Sequence, residues 1–287
     1  MKNVFQLLVV FIAVLCSTNP QAQTKSAPLE NSLLWEVSGN GLTTPSYIYG
    51  TVHMICSSDY FLSEKTNTAL QASKKLVLEI NMTDPNELAV MQNTMIAKEP
   101  LDKTLNAVQL SKLEEIFKKI DGISVEQVNS YNLTAVMSLL YMKSYGCTDL
   151  KFYEMEFMAD FKKRNLEVVG LELVTSQLTT LENAYTKDEM LKLLEEISAK
   201  ETAKLVQDYK GENINSLYLD ITDEKVMNKK TKAELLDKRN IDWVTKIPAL
   251  MKKESVFIAV GAAHLAGEYG VLHLLKKVGY TVSPILN

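Results

Sequence analysis

Basic charge is what this chain most lacks as a binding surface. Its 31 Lys and Arg stand against 35 Asp and Glu, a formal net charge of −4, and no stretch gathers cations into a stripe. Without such a stripe there is nothing to neutralise a phosphate backbone, so nucleic acid is not an expected partner. Internal repeats and low-complexity linkers are also absent, which removes the array architectures. Histidine and cysteine are scarce, with three of each in 287 residues. The one long apolar run, Leu7 to Cys16, is too short to span a bilayer comfortably.

Enough apolar material remains to build a full core. At 46% apolar side chains, the chain reads as one domain over residues 23–287 preceded by a leader. Met1-Lys2-Asn3, the apolar run, Pro20 and Gln21-Ala22-Gln23 fit a secretory signal peptide over residues 1–22, cleaved near Ala22. The mature chain, with no transmembrane span of its own, is then periplasmic or secreted. A lipoprotein anchored at Cys16 is the weaker alternative, because Ala13-Val14-Leu15 places a large residue where a lipobox needs a small one.

Cleavage leaves Cys56 and Cys147 as the only cysteines. In an oxidising compartment an even pair is expected to form a disulfide. Cys56 lies beside the polar Ser57-Ser58-Asp59 and Cys147 follows Gly146, both exposed settings that suit pairing.

Strand signals cluster at the two ends of the chain. Leu33 to Val37 and Ser46 to Val52 read as a hairpin around Ser38-Gly39-Asn40-Gly41. A helix from Leu62 to Ser73 leads to a parallel strand, Lys75 to Ile80, with Glu79 near its C-terminal end. From Asp84 to Asn165 nothing reads as strand. Asp84-Pro85 opens a helix there, and Ser111-Lys112-Leu113-Glu114 reads as a capping box. Glu167 to Leu171 is the next strand. Thr186 to Glu189 is a second capping box, starting one long charged helix that stops near Gly211. A helical stretch through Ala233 to Asn240, the strand Val256 to Val260, a helix through Val271 to Leu275 and the strand Tyr280 to Pro284 complete the chain. The expected fold class is α/β: a central mixed, partly parallel sheet formed by N- and C-terminal strands, with a large helical middle layer.

Two copies of one phrase stand at what read as strand ends. Gly50-Thr51-Val52-His53 follows Tyr47-Ile48-Tyr49, and Gly261-Ala262-Ala263-His264 follows Val256 to Val260, each through a glycine-permitted turn. Parallel strands bring their C-terminal ends to one edge, so His53, Glu79 and His264 are expected to converge. Two imidazoles and a carboxylate can hold a divalent metal with positions left for water. A third match, Gly270-Val271-Leu272-His273, falls inside a periodic helix and is read as coincidence.

The ordered phrases resemble the TraB/GumN family, whose animal relatives are the Tiki metalloproteases. The matching stretches are Pro45 to Met54, Glu79, Val169-Gly170-Leu171-Glu172 with Gln177, Leu235 to Asn240, Val260 to Gly267 and the closing Gly279-Tyr280-Thr281-Val282. The resemblance implies a fold like the erythromycin-esterase and ChaN-like group. It also implies peptidase activity dependent on manganese or cobalt, with zinc as a further candidate. Carried over, His53 and His264 become metal ligands, and Glu79 becomes a third ligand or the general base. Arg239, followed by Asn240, would stabilise an oxyanion or form an ion pair. Glu172 and Asn240 are expected to orient the groups that touch the metal. Glu154, where the family often has an acidic residue, sits in a helical context that equally suits a solvated or capping role. Leu173 replaces the family's usual threonine.

The function expected is a metal-dependent hydrolase acting on peptides or protein termini through a metal-activated water. The alternatives are a metal-independent esterase with a histidine general base, and a non-catalytic protein that binds peptides or pheromones.

Overall fold

The computed structural model describes residues 28–286 except 121. The expected signal peptide, its cleavage point and Cys16 lie outside the described residues. Among the described residues there are eight strands: β1 (Leu34–Ser38), β2 (Ser46–Thr51), β3 (Met54–Cys56), β4 (Lys75–Leu78), β5 (Leu150–Phe152), β6 (Glu167–Gly170), β7 (Val256–Gly261) and β8 (Thr281–Pro284). Six of them form one sheet in the order β6-β4-β7-β2-β1-β8. The four from β6 to β2 run parallel, and β1 is antiparallel to both β2 and β8. The class is α/β with a mixed, partly parallel sheet, as the pattern of strand signals implies.

Strand β7 explains why this sheet forms. All six of its residues are buried, and it lies between β4 and β2. Val256, Phe257, Ile258 and Val260 are a run that only a strand covered on both faces can hide. Burying each such side chain contributes roughly 1.5–3 kcal/mol. Phe257 of this strand packs against Tyr49 and Phe157, the three rings lying with centroids 5.3–6.0 Å apart. A second, smaller cluster of Leu113, Ile116, Phe117, Leu140, Leu191 and Leu194 gives the helical middle its own core.

Register fixes the edge where chemistry is possible. Thr51 pairs with Gly261 and Leu78 with Ala259, so β2, β4 and β7 end side by side. The residues just past those ends are His53, Glu79 and His264.

Four local expectations are corrected. The middle of the chain does contain a strand, β5, which pairs with β3 in a separate two-stranded ribbon. Three residues are too few to show a periodicity of two. Ser111 lies inside the helix Ala107–Lys118, whose capping box is Asn106 with Gln109. The long charged helix is two, Lys187–Glu196 and Ala199–Lys210, because Ile197 turns extended (φ −66°, ψ 119°) and Ser198 caps the second. Finally, neither glycine supplies a turn. Gly50 lies within β2 and is there for close approach, since a Cβ would sit 3.0 Å from Leu265 Cδ1 and 3.1 Å from Ala262 Cα. The left-handed residue is His53 itself, at φ 61°.

Cys56 and Cys147 form a disulfide, with Cα atoms 6.1 Å apart. Cys56 ends β3 and is 7% exposed, so it belongs to the ribbon and not to the polar loop that follows. The bridge ties β3 to the segment entering β5.

Candidate active site

His53 is delivered by a tight turn beyond β2. Met54 N–H donates to Val52 O at 2.7 Å, closing three residues around the positive φ, and Tyr153 N–H donates to His53 O at 2.9 Å. A non-glycine residue in this region is uncommon and is held there by its surroundings. The ring is held as well: Nδ1 lies 2.9 Å from Glu154 Oε1, which also accepts Thr51 Oγ1–H at 2.6 Å. Glu154 is therefore neither solvated nor a helix cap. It opens the helix Tyr153–Lys163 and fixes His53.

More than half of the His53 side chain, 55%, meets solvent. The surrounding protein still opposes charge on the ring, but the charge and hydrogen bond of Glu154, with help from Glu79, push its pKa up to about 9 against Arg239.

His264 is the buried partner, 5% exposed at the end of a 3-10 turn after β7. Its Nδ1 lies 2.6 Å from Asn240 Oδ1. The Asn240 amide nitrogen donates to His264 O at 3.2 Å and to Tyr269 O at 2.8 Å. Two carbonyls on the nitrogen make the other amide atom the oxygen, so Nδ1 of His264 carries the hydrogen and Nε2 the lone pair. Burial drives the pKa of this imidazole down to about 3; Glu79 opposes that, and Arg239 and His53 reinforce it. His264 is neutral near pH 7.

Glu79, just past β4, takes part in both halves of the site. Oε1 accepts Gly261 N–H at 2.8 Å; Oε2 accepts from Arg239 Nη2 at 2.6 Å and from Gln177 Nε2 at 3.0 Å. Burial works against its ionisation, yet His264, Arg239, His53 and the Gly261 N–H hold its carboxyl well below the usual range.

Arg239 and Asn240 come from the helix Lys238–Met251, which continues out of a π-helical turn, Ala233–Asp237. Such turns re-aim the side chains that follow. Arg239 Nη1 donates to Leu235 O, within that turn, at 2.9 Å and lies 3.2 Å from His264 Nε2. Its Nε donates to Glu172 Oε1 at 3.0 Å, and its Nη2 is paired with the same oxygen. Glu172 is thus tied to Arg239 and Gln177 and does not touch either imidazole directly. His273 is apart from this group, inside the helix Val271–Lys277.

Gly261 marks the point of convergence. A Cβ there would lie 3.3 Å from His53 Nε2, 3.4 Å from Glu79 Oε1 and 3.6 Å from His264 Cδ2. Both histidines are anchored through Nδ1, as metal-ligating histidines usually are, and a carboxylate oxygen stands between them. Among the described residues no group of three or more His, Cys, Asp or Glu side chains stands ready-made to hold a metal ion. The Arg239 guanidinium faces Glu79 Oε2 and His264 Nε2. In donor chemistry, two imidazole nitrogens and a carboxylate, the residues suit a divalent ion.

Two contributors, Thr51 and Trp243, were not singled out from the sequence. Thr51 is noticed only through its hydrogen bond to Glu154. Trp243 packs 4.4 Å from the His264 ring and 4.8 Å from the Arg239 guanidinium. Its spacing of four from Arg239 and three from Asn240 on one helix is a signal that could have found it.

A model of the TraB/PrgY/gumN family matches residues 33–284. The chain is 23% identical to metalloprotease TIKI1 of Danio rerio, over 93% of this chain and 65% of that protein. It is 24% identical to TIKI1 of Xenopus tropicalis, over 93% of this chain and 64% of that protein. With metalloprotease TIKI2 of Danio rerio the identity is 21%, over 88% and 60%. The chain spans just under two thirds of the length of these relatives.

Proposed function

Because the chain belongs to the TraB/PrgY/gumN family, we propose that it is a metal-dependent hydrolase that cleaves peptides or exposed protein termini. One observation carries this reading. His53 Nε2, Glu79 Oε1 and the His264 ring meet around the missing side chain of Gly261, with each imidazole anchored through Nδ1. The metalloprotease names of the relatives support it.

His53 and His264 would hold a divalent ion, manganese, cobalt or zinc, through their Nε2 atoms. Bound there, the ion supplies a Lewis acid for the scissile carbonyl and an acidified water. Glu154 and Asn240 keep the two rings in the tautomers that ligation needs. The charges around Glu79 lower its proton affinity, which suits a ligand better than a general base. Arg239 would provide a positive charge for the developing oxyanion while paired with Glu172. Trp243 packs 4.8 Å from that guanidinium.

Export is part of the same reading. The expected signal peptide and the Cys56–Cys147 disulfide suit a periplasmic or secreted protein. Among the described residues no helix is long and apolar enough to cross a membrane.

The test is cleavage of a mixed peptide library by protein stripped with chelator and resupplied with manganese, cobalt or zinc, beside His53→Ala and His264→Ala. Metal-restored cleavage that both variants lose is the expected result. One rival is a peptide-binding protein without turnover, in which the Arg239–Glu79–Glu172 network stays closed. Peptide capture with no cleavage under any metal would establish that rival.

A further inference from the structure

Arg239 faces the atoms that a cation would seek. Nη1 lies 3.2 Å from His264 Nε2 and Nη2 lies 2.6 Å from Glu79 Oε2. Asn240 takes the Nδ1 hydrogen of His264 at 2.6 Å, so Nε2 presents a single lone pair. One lone pair serves one Lewis acid: it accepts an N–H of Arg239 or ligates a metal, not both. Charge makes the exclusion stronger. Arg239, Glu79 and Glu172 have side chains only 12%, 11% and 10% exposed, and two cations in so dry a place repel at close range.

The same geometry offers the guanidinium somewhere to go. Glu172 holds Arg239 through Nε, at 3.0 Å to Oε1 and 3.3 Å to Oε2, and through Nη2. The Nε contacts use a nitrogen that serves neither His264 nor Glu79, whereas Nη2 is shared with Glu79. Gln177 Nε2 bridges the two carboxylates, 3.0 Å from Glu79 Oε2 and 3.1 Å from Glu172 Oε1, so either can lose the arginine without becoming wholly unpartnered. Without any cation, two buried carboxylates would face each other, and the site would be a liability to the fold.

Resting on the metal reading above, we propose that Arg239 is a place-holding cation. It neutralises Glu79 and covers His264 Nε2 while the metal is absent, and gives up those two groups, keeping its contacts with Glu172, when a divalent ion takes them. Arg239 is thereby a positioning residue whose occupancy of the site and that of the metal are negatively coupled. A permanent structural ion pair would respond to mutation in the opposite sense, since its loss would disorder the donors and weaken metal binding.

The experiment is calorimetric titration of chelator-stripped mature protein with Mn2+ and with Co2+, joined to thermal melts with and without each ion. Arg239→Gln is expected to bind the ions about tenfold or more tightly than wild type, within the usual range of site-to-site coupling. Its Tm without metal should fall below that of wild type, and saturating metal should raise it by more. Glu172→Gln should bind about tenfold more weakly, because the displaced guanidinium has lost its carboxylate. In the Arg239→Gln background that loss should disappear. Unchanged or weaker binding by Arg239→Gln, with wild type binding normally, overturns the place-holder and leaves the metal reading intact. Binding by Arg239→Gln with none by wild type supports both. If no form binds either ion, the metal reading fails and this proposal with it. Should Arg239→Gln not fold, Glu172→Gln decides alone: affinity equal to wild type overturns the proposal.

Discussion

Asn240 gives both hydrogens of its amide to backbone carbonyls, those of His264 and Tyr269, and keeps its oxygen 2.6 Å from His264 Nδ1. The pairing fixes the tautomer of a buried imidazole with no help from charge. Removing the amide leaves two carbonyls and one ring N–H without partners in a place 2% exposed.

Asn240→Ala is expected to cost about 1–3 kcal/mol of stability for the unsatisfied groups. Metal affinity should fall by about 10–100-fold, the usual loss for a residue that orients a ligand. Urea melts and a Co2+ titration measure the two effects separately.

The positive φ of His53, 61°, separates two variants that would otherwise look alike. Glycine accepts that backbone freely, and alanine does not. His53→Gly should therefore be more stable than His53→Ala by about 1 kcal/mol, while both lose peptide cleavage. Equal stability would show that the turn stores no strain.

Gly261→Ala tests the convergence point without removing a polar group. The backbone there, φ −53°, suits alanine, but the new methyl would stand 3.3 Å from His53 Nε2 and 3.4 Å from Glu79 Oε1. The fold should survive, shown by an unchanged circular dichroism spectrum and a Tm near that of wild type. Metal binding and cleavage should fall by at least about tenfold, the cost of misplacing donors.

Acidity should act on the site through His53. Its pKa of about 9 means that the ring is protonated near neutral pH and must release its proton to ligate. Metal affinity should rise by about tenfold per pH unit from 7 toward 9 and then level off. His264, with a pKa of about 3, adds nothing to that slope. Stability of the metal-free protein runs the other way. The raised His53 pKa contributes stability that is present below about 6.5, the unfolded value, and is lost as pH rises through about 9. Calorimetry in buffers of differing ionisation enthalpy counts the released proton. An affinity flat between pH 7 and 9 would remove His53 from the ligand set.

The disulfide spans 91 residues between Cys56 and Cys147. Opening a loop of that length should cost about 4.6 kcal/mol in the chain-entropy account. Because the bridge ties β3, which follows His53, to the segment that leads through β5 to Glu154, reduction should weaken metal binding as well. Reduction with a phosphine, followed by melting and Co2+ titration, checks both. Thiol alkylation of unreduced protein should label neither residue.

The frame of the site is written in the chain's own pattern. A short β-branched and aromatic run such as Val256 to Val260 reads as a buried strand, and parallel strands end on a common edge, so the approach of His53, Glu79 and His264 follows from the order of strands and helices. The Cys56–Cys147 pairing followed from there being just two cysteines after the expected leader. Capping was legible where a hydroxyl and a glutamate stood at the right spacing, as at Thr186, and was misread at Ser111, where the same spacing falls inside a helix.

How the site is wired depends on contacts that form only in the folded chain. Nothing local shows that His53 and not its glycine turns left-handed, because that conformation is held by Tyr153, 100 residues on. Nor does local pattern reveal that Glu154 fixes His53, or that Arg239 lies between Glu79, Glu172 and His264. Those are contacts between elements distant in sequence, set by sheet register, by a three-residue ribbon and by a π-turn, none of which leaves a periodic trace. Strand placement follows from averaged burial over many residues, which a sequence records. The direction of one guanidinium follows from a few specific neighbours, which only the folded chain assembles.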